Sequence, residues 1–303
     1  MRCEAGRVGS ILGGSGATMT VLSVPFAGAL RRPVRNRYVA GLLTWRGVSG
    51  LALVGLVALA GLLAPVLSGA DPNAQGPEAL AGPSGAHPLG TDDLGRDLLS
   101  RVLHGIGTDL TIILTAVPAG AVAGAALALL AGTSRAADLV VQRLFDLVLS
   151  FPGLILGLAV TAVLGPGRWP VVIVIALAEV PYFGRQLRAG VLVQREREYA
   201  LAARVGGAGR ARVLLRHVLP NAVDPLVVQG AVALSVGVFI EGALSFLGLG
   251  VRPPEPTLGS LISGAVAYLD TAPLLAAAPL AVTAALVLGF TLIAESLNRG
   301  VRG

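Results

Sequence analysis

The chain is organised around residues 198–221, EYALAARVGGAGRARVLLRHVLPN, the longest polar interruption in its apolar second half. Four arginines stand in this stretch against the single acid Glu198. We therefore expect the stretch to lie in water, on the side of a membrane that tolerates positive charge. The arginines are Arg204, Arg210, Arg212 and Arg216. The stretch is predicted to be a docking element in a loop.

Two short helices are predicted within it. Residues 198–205 form the first, and Gly206 and Gly207 break it. Residues 211–219 form the second, and Pro220 ends it because proline has no N–H to continue the ladder. Helical spacing gives the first helix a narrow face of mostly small residues, which lets another backbone come close: Tyr199, Ala202, Ala203 and Gly206. A helical hairpin of this kind would move the spans on either side of it.

This spacing resembles the EAA loop of permease subunits of ATP-binding-cassette importers, with Ala202-Ala203, then Gly207, then Leu219-Pro220. Four further stretches are similar to the C-type permease subunit of dipeptide, oligopeptide and nickel importers. They are HPLGTDDLGRDLLSRVLHG (87–105), FPGLIL (151–156), RHVLPN (216–221) and EGALSFLGLGVRPPEPTLG (241–259), and the similarity covers roughly residues 35–298. The glutamate of the EAA triplet is replaced by Leu201 in this chain. This replacement weakens the polar part of the docking contact unless Glu198 supplies the carboxylate.

The resemblance implies an all-α membrane protein of the type I importer permease fold, with six transmembrane helices and both termini in the cytoplasm. It places the chain in the cell (inner or plasma) membrane, among lipid, with no nucleic acid. Its partners would be a second, B-type permease subunit, two ATPase subunits that use ATP and Mg²⁺, and an external substrate-binding protein. This subunit would carry no catalytic residue, metal or cofactor. The residues implied in ATPase coupling are Glu198, Tyr199, Ala202, Ala203, Arg204, Gly207, Leu219 and Pro220.

Composition independently indicates an integral membrane protein. Of 303 residues, 54% are hydrophobic and only 13% charged, and the mean hydropathy is +0.78, too apolar for a soluble domain of this length. All 23 basic residues are arginine, which excludes a Walker-type phosphate loop because that loop needs lysine. The basic residues cluster beside apolar spans, so membrane orientation explains them more simply than nucleic-acid binding does.

Six spans are predicted, at 48–70, 110–132, 139–164, 170–183 (running on to 197), 222–244 and 273–296. Residues 1–46 are a cytoplasmic tail, disordered over 1–30, and 299–303 are a second tail. Residues 47–109 are the first span and an external segment, and 110–298 are the permease domain with a cytoplasmic coupling loop at 184–221. A cleaved signal peptide is the alternative for the first span, but the run is longer than a typical signal.

The external segment carries six acids against two arginines, and we expect an amphipathic helix within 87–105. That helix is either interfacial or a surface for the partner permease or external receptor, and we favour the interfacial role. Residues 259–270 are predicted to form a short re-entrant or interfacial helix.

Five residues are candidates for the pore or a subunit interface: Asp146, Pro152, Glu241, Ser245 and Phe246. An acid in an apolar run is costly, so Asp146 is a functional candidate, although we favour a local ion pair with Arg143. Pro152 is predicted to kink or interrupt the third span. Glu241 either lines the substrate path or satisfies backbone donors at a break made by nearby glycines.

Three classes of function remain: an importer permease, an ion-coupled secondary transporter and a membrane enzyme. The secondary transporter would need paired intramembrane acids in corresponding halves. The acids here are predicted to lie towards span ends: Asp146, Glu179, Glu241 and Glu295. The enzyme would need a nucleophile with its base or a His and acid cluster, and no such motif is present. A di/oligopeptide importer permease is the reading we favour, with a nickel or chelated-metal importer permease as the alternative.

Overall fold

The computed structural model describes residues 34–302, and side chains from residue 38 to residue 300. The disorder predicted for residues 1–30 lies outside this range. The helices are α1 (Val34–Leu42), α2 (Trp45–Leu62), α3 (Ala64–Leu67), α4 (Leu98–Ala131), α5 (Arg135–Ser150), α6 (Gly153–Leu164), α7 (Arg168–Arg195), α8 (Glu198–Val205), α9 (Arg210–Arg212), a π-helix (Val213–Val218), α10 (Leu219–Ala222), α11 (Asp224–Phe246), α12 (Leu258–Ala265) with a 3₁₀ turn (Val266–Tyr268), and α13 (Leu274–Arg302).

Six membrane crossings account for the long apolar helices. Five helices, α2, α4, α7, α11 and α13, are each long and apolar enough to cross, and α5 with α6, a pair bent by 94°, makes the sixth when it is counted as one broken span. The predicted all-α fold with six spans is confirmed for the part of the chain that the structure describes. Because the number of crossings is even, the two ends of this part lie on the same side of the membrane.

The second span differs most from its predicted bounds. It begins at Leu98, because Asp97 caps the helix by accepting a hydrogen bond from the Ser100 N–H at 2.7 Å. The separate interfacial helix predicted within 87–105 is therefore wrong, since its second half is the first turns of α4. The helix is 34 residues long, contains Pro118 without a break, and runs through the boundary we placed between residues 109 and 110.

The other spans shift less. The first runs over Trp45–Leu62 instead of 48–70, with Thr44 as its N-cap. The fourth is one continuous helix, Arg168–Arg195, which contains Pro181 without a break. The fifth is Asp224–Phe246, and α13 continues to Arg302 through most of the predicted tail.

Helices α4 and α7 form the centre of the bundle. They approach closely where a Cβ at Gly120 would lie 2.6 Å from the Ala176 carbonyl oxygen, and a Cβ at Gly124 would meet the backbone of Val180. Phe145 of α5, which is 1% exposed, packs its ring against Gly184 of α7. Small residues at these crossings let the backbones pack, which is how helices associate in a membrane.

The external segment between α3 and α4 folds around carboxylates. Asp92 accepts hydrogen bonds from the backbone N–H groups of Leu94 and Arg96, both at 2.9 Å, and from the Arg96 side chain at 2.6 Å. Arg101 donates to the Pro72 carbonyl at 3.0 Å, and His87 lies 2.9 Å from Asp97. These contacts hold the segment against the first turns of α4.

Candidate functional site

The 198–221 hairpin packs its inner face on the ends of α4 and α7. Ala200 and Val218 are fully buried, and with Val213 they join a cluster that includes Leu187 of α7 and Ala128 of α4. Burial of apolar surface at this joint fixes the hairpin to the membrane helices.

The corner of the hairpin depends on one glycine. Gly207 has φ +80°, in the left-handed region that favours glycine. The Ala208 N–H donates to the Ala203 carbonyl at 3.0 Å and closes the helix end. A Cβ at Gly207 would meet nothing within 4 Å, so added bulk at this position would not clash with a neighbouring helix. Only the backbone angle restricts this position.

The second limb does not stop at Pro220 as predicted. After Arg210–Arg212 the chain winds as a π-helix over Val213–Val218 and then as α10 over Leu219–Ala222. The Leu219 N–H donates to the Leu214 carbonyl. Pro220 then occupies the first turn of α10, where a missing N–H costs nothing.

Polar contacts tie both limbs to the end of α7. The Tyr199 hydroxyl donates to the Gln194 side-chain oxygen at 2.8 Å, and the Gln194 amide donates to the Asn221 carbonyl at 3.3 Å. Arg204 donates to the Arg195 carbonyl at 3.1 Å. Force on the hairpin therefore passes directly to α7.

The face predicted for α8 is divided in the structure, with Ala202 and Gly206 exposed and Tyr199 and Ala203 half-buried. Tyr199 and Ala203 pack inward on the buried cluster, whereas Ala202 is exposed. Leu201 is 44% exposed and Val205 91% exposed, so the position of the missing triplet acid lies on the free surface. The other predicted coupling positions divide in the same way: Leu219 is half-buried, and Glu198, Arg204, Gly207 and Pro220 are exposed.

The exposed surface of the hairpin carries both apolar and basic side chains. Leu215 of the second limb is 57% exposed. Arg210, Arg212 and Arg216 are exposed and form no ion pair within residues 34–302. Such a surface suits a protein partner that offers a hydrophobic groove with acidic edges.

Asp146 has a different main partner from the one we favoured. Its carboxylate lies 2.6 Å from Arg185 of α7 and 3.8 Å from Arg143 of its own helix. The ion pair therefore joins α5 to α7. The predicted interruption at Pro152 is confirmed, since the chain breaks between Ser150 and Gly153.

Glu241 fits neither of our alternatives. It is fully buried, accepts a hydrogen bond from the Ser245 hydroxyl at 2.6 Å, and lies near Asp109 of α4. Among the described residues, Glu241 Oε2 and Asp109 Oδ1 have no hydrogen-bond partner. Ser245 is buried beside it, and Phe246 is 40% exposed. Asp109, which is 1% exposed, also accepts from the Leu258 N–H at 3.2 Å. The pair thus joins α4, α11 and the start of α12.

Asp109 and Glu179 are the residues that the sequence analysis misplaced. Asp109 was assigned to the external segment, although the capping residue Asp97 ahead of an apolar run could have revealed a longer helix. Glu179 is the twelfth of the 28 residues of α7, is 2% exposed, and lies near Gln229, and its Oε2 atom has no hydrogen-bond partner among the described residues. It does not lie towards the end of its span as predicted.

Comparison with known proteins agrees with this architecture. Residues 116–303 match the protein family described as "Binding-protein-dependent transport system inner membrane component". A dipeptide transport system permease protein of Alkalihalophilus pseudofirmus is 35% identical over 279 residues, covering 88% of this chain and 91% of that protein. A di/tripeptide transport system permease protein of Pseudomonas aeruginosa is 40% identical over 234 residues, covering 74% and 77%.

The fold is also found in a solved structure. A chain of the MetNI methionine ABC transporter in inward-facing conformations superposes with a TM-score of 0.53 at 20% identity, covering 67% of this chain and 95% of that chain. At this identity the likeness concerns the fold. Together with the six-span bundle and the hairpin after its fourth span, the sequence matches show that the chain belongs to the family of binding-protein-dependent transport system inner membrane components, multi-pass permeases of the cell membrane.

Proposed function

We propose that this chain is the permease subunit of an ATP-driven importer of di- and oligopeptides and forms half of the translocation pore. The other half would be a second, B-type permease subunit. The substrate class is supported by the relatives above, whose names specify dipeptides or di/tripeptides. Those names do not favour the nickel alternative.

The energy source would be a pair of ATPase subunits that bind and hydrolyse ATP with Mg²⁺. This chain would contribute no cofactor site, consistent with its lack of the lysine that a Walker-type phosphate loop requires. An external substrate-binding protein would deliver the peptide.

One observation carries the mechanism: the 198–221 hairpin is anchored to α7 and free on its outer face. Tyr199, Gln194 and Asn221 form a continuous chain of hydrogen bonds between the two limbs and α7. Leu201 and Val205 face outward. An ATPase subunit seated on these side chains would move α7 when ATP binding closes the pair, and the bundle would change the face at which it is open.

The docking contact is tested by substituting a carboxylate for the most exposed side chain of the hairpin. Val205→Asp leaves the inner face untouched but places a charge among the exposed apolar side chains of the contact. We expect the ATPase subunits to be lost from the purified complex while membrane insertion stays normal. Leu43→Asp is a control, because Leu43 is 71% exposed and lies outside the hairpin. Full retention of the ATPase subunits by Val205→Asp would refute the docking role.

The substrate is tested in vesicles that hold the assembled importer with ATP inside. A radiolabelled dipeptide, supplied with the importer's substrate-binding protein, should accumulate. Accumulation of nickel ions and not dipeptide would overturn the substrate assignment while leaving the importer mechanism intact. Uptake by the lone chain without ATPase subunits would instead support an ion-coupled transporter, a class to which the Asp109–Glu241 contact would be relevant.

A further inference from the structure

A cavity opens where the ends of α4 and α7 meet the start of α5, at the side that the distribution of arginines places in the cytoplasm. Its volume is about 260 Å³, room for a phosphodiester group with bound water. We call it the basic cavity. Three arginines and one acid are the charged residues of its lining: Arg135, Arg188, Arg195 and Asp138.

The charges of the basic cavity do not cancel. Arg188 and Asp138 form a bidentate pair, with both N···O distances at 2.7 Å. Arg188 therefore neutralises Asp138, which leaves no acid in the lining to neutralise Arg135 or Arg195. Within residues 34–302 the side chains of Arg135 and Arg195 have no hydrogen-bond or ion-pair partner. Two guanidinium groups therefore face the cavity with their donors free, and arginine is the side chain best shaped to bind a phosphate oxygen pair.

The surroundings of the basic cavity are apolar on the membrane side. Leu192, which lines it, is 48% exposed. Leu139, which follows the lining residue Asp138 in α5, is 62% exposed. An occupant with a charged head and hydrocarbon chains would satisfy both surfaces. A small anion would cover only the arginines, and a soluble acidic segment would leave the apolar border bare.

The location agrees with that chemistry. Ser134 caps α5 by accepting from the Ala137 N–H at 3.1 Å, so the positive end of the α5 dipole points to the same place as the free guanidinium groups. The last turn of α4 ends at Ala131, and Gly132 lies beside the Arg195 guanidinium, where a Cβ would be 3.3 Å from its Nη2 atom. These helix ends lie at the level of the lipid headgroups if α4 and α7 cross the membrane.

We propose that the basic cavity binds the phosphodiester headgroup of an anionic phospholipid of the inner leaflet, with Arg135 and Arg195 contacting the phosphate and the acyl chains lying along Leu139 and Leu192. Because the site lies between α4, α5 and α7, a bound lipid holds these helices together at the base of the 198–221 hairpin. The binding is distinct from peptide transport and from ATPase docking.

The test uses the full chain, with the subunits that co-purify with it, in dodecyl maltoside. Dioleoyl phosphatidylglycerol is titrated while the thermal unfolding midpoint is followed, and dioleoyl phosphatidylcholine serves as the zwitterionic lipid with the same chains. We expect phosphatidylglycerol to raise the midpoint and phosphatidylcholine to have little effect. Arg135→Gln and Arg195→Gln should each weaken the apparent affinity for phosphatidylglycerol about fivefold, since a basic residue near an anionic surface contributes about 1 kcal/mol.

Arg143→Gln is the matched control, because Arg143 is on the same helix and 86% exposed but does not line the basic cavity. Its affinity for phosphatidylglycerol should equal that of the unsubstituted protein. The midpoint measured without lipid shows whether each variant is folded, and the two single variants provide independent readings.

Three results would overturn the proposal. The first is an equal loss of affinity in Arg143→Gln, which would mean general attraction to charge. The second is stabilisation by millimolar inorganic phosphate, without lipid, that depends on Arg135 and Arg195, which would make the cavity a free-anion site. The third is unchanged phosphatidylglycerol affinity in both variants, with or without loss of a co-purifying subunit. Such a loss would assign the arginines to a protein partner.

Discussion

Gly190 of α7 supports the return limb of the hairpin, and substituting it should weaken coupling without removing any chemical group. A Cβ at Gly190 would lie 2.7 Å from the Ala222 carbonyl oxygen, where ordinary contact begins at 3.4 Å. In Gly190→Ala the two backbones must separate by about 0.7 Å. The atom in the way is main chain, so no side-chain rotation can relieve the contact.

The magnitude follows from two opposing effects. Overpacking costs about 1–3 kcal/mol, and alanine in place of glycine inside a helix stabilises by about 1 kcal/mol. The docked position of the hairpin should therefore lose about 1 kcal/mol, which is roughly a fivefold change in the equilibrium constant between its docked and undocked positions. Gly190→Ile adds three more carbons and should cause a larger loss.

The assay is ATP hydrolysis by the reconstituted importer, with and without substrate-loaded binding protein. We expect the stimulated rate of Gly190→Ala to fall, by at most about fivefold, with normal amounts of complex in the membrane. Gly55→Ala is the control, because a Cβ at this helical glycine of α2 would meet nothing within 4 Å. If Gly190→Ala and Gly55→Ala hydrolyse ATP alike, the joint between α7 and the hairpin does not carry the signal.

Three further outcomes are expected. Gly207→Val should lower stimulated ATP hydrolysis, and Gly207→Asn should retain most of it, because asparagine tolerates the left-handed backbone; equal loss in both would mean that the angle is not what matters. Asp109→Asn should leave the detergent unfolding midpoint nearly unchanged, since an amide can still serve Glu241 and the Leu258 N–H, whereas Asp109→Leu should cost about 1–3 kcal/mol for each buried group left unpaired. Asp146→Asn should change the free energy of unfolding by less than about 1 kcal/mol, because its pair with Arg185 is exposed. A larger loss would assign Asp146 a role beyond this pair.

The sequence predicted the fold and the hairpin because both have local signals. Apolar runs of membrane length, arginine-rich loops and the paired glycines at 206 and 207 are all read over short windows. Pro152 marked the break in the third span for the same reason, since proline acts on its own backbone.

Only part of the face predicted for α8 is free, because helical spacing alone does not say which side of a helix meets the rest of the molecule. Ala200, which the analysis did not single out, is the fully buried residue of this helix. Its burial turns Leu201 and Val205 outward. Which side of α8 is buried depends on its packing against the ends of α4 and α7, which are far away in sequence.

The acid pair could not be predicted because Asp109 and Glu241 are 132 positions apart and share no motif. Asp146 shows the same limit on a smaller scale: Arg143 is the near neighbour in sequence, but tertiary packing brings Arg185 closer. Because the side chain of an arginine is long, it can reach an acid on a neighbouring helix. The partner in an ion pair therefore depends on how the helices cross.

Helix α4 has a consequence for how the two sides of the membrane communicate. Its 34 residues make a rod of about 51 Å, well beyond the roughly 30 Å of hydrocarbon, so the folded external segment and the inner joint are two ends of one element. A tilt of about 10° would displace one tip relative to the other by roughly 9 Å. Flexure should concentrate at Pro118, which lacks the N–H that would otherwise bond to the Leu114 carbonyl.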